Sequence, residues 1–80
     1  MAARDYYAEA RQIASRLLAE GFAEWANKFD DAIARGFTAT EILMALRWEA
    51  RQLQEARLPL PAAVESQLES FLAGLEEVLA

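Results

Sequence analysis

Apolar residues recur along this chain at spacings of three and four, in four runs separated by glycine or proline. The first run is Tyr6, Ala10, Ile13, Ala14 and Leu17, and it predicts a helix from about Ala3 to Ala19. Gly21 follows and offers the left-handed conformation in which helices end. The second run, Phe22, Trp25, Ala26, Phe29 and Ile33, predicts a helix from Phe22 to Arg35. On its wet side Glu24–Lys28 and Asp31–Arg35 are spaced i, i+4 with the acid first, the favourable order for ion pairs.

Gly36 ends that helix, and Thr38-Ala39-Thr40-Glu41 then reads as a capping box. Thr38 is placed to accept from the third helical N–H while Glu41 reaches back. Phe37 and Ile42 are placed to close a hydrophobic staple around the cap. The third helix runs to about Leu58, where Pro59-Leu60-Pro61 breaks it: a proline disfavours the helical conformation before it and lacks the donor after it. Pro61 suits the first position of a fourth helix, striped by Val64, Leu68, Phe71, Leu72, Leu75, Val78 and Leu79. Gly74 lies inside it and permits a close approach.

No strand pattern competes with these runs. Short connections turn consecutive helices back on one another. The expected fold is therefore all-α, a compact antiparallel bundle of four short helices forming a single domain over residues 1–80. The expected core is Ile13, Leu17, Phe22, Trp25, Phe29, Ile33, Ile42, Leu46, Leu53, Leu68, Leu72 and Leu75. Of the adjacent tyrosines, one ring belongs in that core and the other at its edge.

Composition removes most chemistry. The chain has no cysteine and no histidine, so it has no disulfide, and a metal would need carboxylates alone. No Asp-rich loop of the calcium type is present. The hydroxyls of Ser15, Ser66, Ser70, Thr38 and Thr40 have no base near them in sequence, and the isolated glycines form no phosphate loop. The expectation is a protein that is not an enzyme, with no cofactor and no metal. No secretory signal and no membrane-spanning run is legible, which points to the cytoplasm.

The formal net charge of −5 argues against direct nucleic-acid binding. The acidity collects in the last segment, where Glu65, Glu69, Glu76 and Glu77 face no basic residue of that segment. Two candidate partner surfaces follow. On the third helix, at about 100° per residue from Ile42, Met44 and Trp48 fall near 200° and 240°, opposite the core stripe. Met44, Arg47, Trp48 and Arg51 are of types enriched in protein contacts. The plain alternative is that Trp48 packs against a neighbouring helix. On the fourth helix, Glu65, Glu69, Glu76 and Glu77 could dock a basic partner by charge attraction, or could simply be a solvated face.

The segment Trp25-Ala26, Ala32-Ile33 and Gly36-Phe37-Thr38-Ala39-Thr40-Glu41-Ile42-Leu43-Met44-Ala45-Leu46-Arg47-Trp48 resembles a group of short uncharacterised bacterial helical proteins. Their shared pattern is W-A…A-I…G-x-T-x-T-E-I-L-M-x-L-R. More loosely, it is similar to small immunity proteins of interbacterial toxin systems. The resemblance covers residues 22–48 and implies a helical fold and an inhibitor that neutralises a cognate, basic toxin domain by direct binding. From the residues alone, two alternatives stand beside it. One is an adaptor that self-associates as a homodimer through the Met44–Trp48 face. The other is an acidic mimic that blocks a nucleic-acid-binding protein.

Overall fold

The computed structural model describes residues 4–80. It holds four helices in order: α1 Tyr6–Ala19, α2 Ala23–Arg35, α3 Ala39–Ala56 and α4 Ala62–Val78. Among the described residues there is no strand. Main contacts run round a ring, α1 to α2, α2 to α3, α3 to α4 and α4 to α1. Each helix therefore buries a face between two neighbours.

The helix boundaries have local causes. Asp5 caps α1, its carboxylate accepting from the Ala8 N–H at 3.0 Å. The expected start at Ala3 lies outside the described residues. At the other end Gly21 takes φ +91°, and the N–H groups of Gly21 and Phe22 donate back to Leu18 and Leu17 at 3.1 and 2.8 Å. That pair of bonds closes a Schellman motif. Thr38 caps α3 as expected, accepting from the Glu41 N–H at 3.1 Å. The Thr38 hydroxyl in turn donates to Glu41 Oε1 at 3.3 Å, so the carboxylate meets the hydroxyl rather than the backbone N–H of the expected capping box. The third helix stops at Ala56, two residues early, because Arg57 turns left-handed at φ 51° before the prolines act. Pro61 stands one residue outside α4, as its N-cap.

The core is built by all four helices from Ile13, Leu17, Phe29, Leu46, Leu53, Leu68, Phe71 and Leu75, each essentially fully buried. Phe71 is its aromatic hub, with ring centroids 6.1 Å from Tyr6 and 6.4 Å from Phe29. Four of the expected core residues, Phe22, Trp25, Ile33 and Ile42, are only half-buried and line its edge. Alanines displace them: Ala10, Ala14, Ala26 and Ala50 are buried. Small side chains let the helices close at the contact points, and the large residues beside them then cover the flanks. Val78, expected in the α4 stripe, is exposed in the last turn.

Two surface expectations fail. The Phe37 staple does not form, and the ring is 94% exposed. Gly36 is extended and lies against Ile42, so closely that a Cβ there would collide with Ile42 Cγ1; the glycine backbone holds the place the ring would use. The expected Glu24–Lys28 and Asp31–Arg35 pairs are also absent from the two ion pairs among the described residues, Arg4–Glu9 and Arg51–Glu76. Lys28 instead lies over the Trp25 ring, 4.3 Å from its centroid.

Candidate docking surface

Because Leu46, Ala50 and Leu53 turn α3 toward the core, the opposite face of that helix is presented to solvent. Trp48 is 60% exposed and Met44 50%, so neither belongs to the core. Among the described residues, Phe37, Leu18 and Val78 are the other exposed large apolar side chains. Glu41, Arg51 and Glu55 are exposed along the same side of the helix, and Arg47 is half-buried at its flank. The result is a ridge, apolar in the middle and charged at the ends.

One groove borders the ridge, and a second lies beyond it where α3 passes into α4. On the α2 side, Trp48, Glu41, Ala45 and Glu49 face Lys28 and Arg35 across an open depression of about 470 Å³. Glu49 Oε2 is shielded there and has no hydrogen-bond partner. On the α4 side, Glu65 and Glu69 line a groove of about 330 Å³ with Arg57, Leu58 and Leu60.

The eight expected contact residues do not form one surface. Met44, Arg47, Trp48 and Arg51 share the outward side of α3. Arg51 then bridges to α4, its Nε donating to Glu76 Oε1 at 2.7 Å. At about 100° per residue, Glu65, Glu69 and Glu76 fall within about 40° of each other while Glu77 is about 100° from Glu76. The acidic set is thus split: Glu76 is held by Arg51, Glu65 and Glu69 share a groove with Arg57, and Glu77 points elsewhere.

Glu41 belongs to the ridge although the sequence assigned it to capping. The available signal was spacing: Glu41 precedes Trp48 by seven residues within one helix.

A separate cluster ties the two ends of the chain together. Arg4 makes a bidentate pair with Glu9 at 2.7 and 2.8 Å, donates to the Ser70 carbonyl at 3.0 Å, and stacks over Tyr6. The bond to Glu9 raises the Arg4 pKa above its already high ordinary value. Gly74 makes room for this clasp: a Cβ there would lie 2.7 Å from the Tyr6 hydroxyl and would meet the Arg4 guanidinium. The close approach at Gly74 is thus to side chains rather than to a helix axis.

For chemistry there is little to assemble. Thr38 is occupied by its cap, and Ser70 Oγ accepts from Arg4 at 3.3 Å. Among the described residues no three carboxylates gather where a metal ion could be held, and no helix is long and apolar enough to cross a membrane. No protein-family model, curated protein or solved structure matches the chain.

Proposed function

We propose that this chain is a non-enzymatic, cytoplasmic binding module that docks a protein through the outward ridge of α3. The observation that carries the reading is the exposure of Trp48 and Met44 on a helix whose opposite face is already buried. A tryptophan left this open gains free energy when a partner covers it, and aromatic anchors ringed by charge are the usual centres of protein contacts. The ridge is favoured over the acidic face of α4 because it exposes Trp48 and Met44 together, whereas the α4 carboxylates are divided between the Arg51 pair and the Arg57 groove.

In its finer form the reading is an immunity-type inhibitor, its partner a basic toxin domain blocked by direct contact. What supports that form is the resemblance of residues 22–48 together with the net charge of −5. Stoichiometric addition to the toxin encoded beside it would then abolish the toxin's activity; undiminished activity would exclude this form.

The ridge itself is tested with Trp48→Asp. An exposed position tolerates the change, so far-UV circular dichroism should match the wild type. The variant should lose the protein that wild type retains in affinity capture. Equal retention by both would remove Trp48 from the docking surface and the reading with it.

A further inference from the structure

The ridge residues follow a seven-residue rhythm. Within α3, Met44 and Arg51 are seven apart, and so are Glu41, Trp48 and Glu55. Glu41, Met44, Trp48, Arg51 and Glu55 thus follow alternating steps of three and four, the spacing that keeps one helical face turned to a packed partner helix, here with Met44 and Trp48 at its apolar centre. The buried stripe of α3, Leu46, Ala50 and Leu53, with half-buried Ile42 at its start, faces the other way. This helix therefore carries two apolar faces, and its own chain covers only one.

Resting on the reading of this ridge as a docking surface, we propose that its occupant is a second copy of the chain, with the two α3 helices packed antiparallel about a two-fold axis at the height of Leu46. The charges select that arrangement. Glu41 and Arg51 lie at equal distances on either side of Leu46, and so do Met44 and Trp48. An antiparallel pair centred there sets Glu41 of one copy against Arg51 of the other, twice. It also sets Met44 against Trp48, twice, in the middle.

Other arrangements are worse. A parallel pair brings Glu41 onto Glu41, Arg51 onto Arg51 and Glu55 onto Glu55, all repulsive. Sliding the antiparallel pair by one heptad sets Glu41 against Met44, or Glu55 against Met44 with Arg51 against Trp48. Either slide covers a carboxylate with an apolar side chain.

The bond to Glu76 leaves Arg51 free for this role. Its Nε and Nη2 engage Glu76 Oε1, and the guanidinium keeps further N–H donors for a second carboxylate. Ala45 flanks the seam on the α2 side and lets the helices approach. Arg47 from each copy meets its equivalent on the α4 side, the one like-charge approach in this register. A seam of α3's length buries roughly 400–500 Å² on each copy, which places the dimer at the weak, reversible end of specific interfaces.

Sedimentation equilibrium over a wide concentration range tests this directly. Wild type should pass from monomer to dimer as concentration rises, Trp48→Asp should stay monomeric, and Arg47→Ala should tighten the dimer. Glu41→Arg and Arg51→Glu, each confirmed folded by circular dichroism, should each weaken association on the order of tenfold. Mixed one to one, these two variants should associate again, because both cross-copy contacts then pair opposite charges. The chain has no native cysteine, so a second measurement needs no background correction. Met44→Cys mixed with Trp48→Cys should form the mixed disulfide faster than either homodisulfide. A wild type that stays monomeric throughout overturns the second copy as occupant; if Trp48 still governs capture of a different protein, the docking ridge survives that result. A wild-type dimer with neither charge rescue nor preferential mixed disulfide also overturns the proposal, by placing the contact on another face.

Discussion

Gly36 and Ile42 show how one atom decides a local outcome. Gly36 has an ordinary extended backbone, φ −77° and ψ 140°, so nothing conformational requires glycine there. Space requires it, since an added Cβ would run into Ile42 Cγ1 and approach its Cα at 3.3 Å. Gly36→Ala should therefore destabilise the protein by about 1–3 kcal/mol, the usual range for an overpacked contact. In urea denaturation, Gly36→Ala with Ile42→Ala should lose less than the sum of the single changes; strict additivity would show that the two do not touch. The same contact explains why Thr38 was readable from sequence and Phe37 was not. A cap is a bond between residues three apart, whereas the staple depended on which of Gly36 and Phe37 reached Ile42 first.

At the level of elements, two helices end in left-handed residues with opposite chemistry. Gly21 holds φ +91° in open space, so Gly21→Ala meets no neighbour and suffers only the backbone penalty, about 1 kcal/mol. Arg57 adopts φ 51° with a side chain that dislikes it. Arg57→Gly should accordingly raise the melting temperature, by a free energy of up to about 1 kcal/mol once the looser unfolded chain is counted. A lower melting temperature would mean that Arg57 contributes more to the groove it shares with Glu65 and Glu69 than its backbone loses. The Gly21 end was legible because glycine announces it. The Arg57 end was not, because arginine is a good helix former and the visible stop signal, Pro59, stands two residues later.

Across the whole molecule, thirteen acidic and eight basic residues are matched by only two ion pairs among the described residues. Net self-repulsion is then the larger electrostatic effect, and screening should relieve it. Raising salt from roughly 10 to 300 mM should lift the melting temperature of the dilute protein by a few degrees. A fall would show that specific attractions such as the Arg4 clasp outweigh the repulsion. The Arg4 clasp is itself a feature of the whole molecule, since it joins residues 66 positions apart.

What the sequence determined by itself is the set of four helices, most of their ends, and the inward stripe of each. These rest on spacings and caps within a few residues, where the backbone's own geometry leaves little choice. It also ruled out disulfide and imidazole chemistry by composition. Only the tertiary structure decided that Ala10, Ala14, Ala26 and Ala50 are buried while Phe22, Trp25, Ile33 and Ile42 are half-buried. It likewise decided that Arg51 reaches Glu76 and that Trp48 stands in solvent. A helix surrounded by neighbours can bury any of its faces. Which face stays open is set by where the other helices lie, and that is a property of the assembled ring rather than of any one segment.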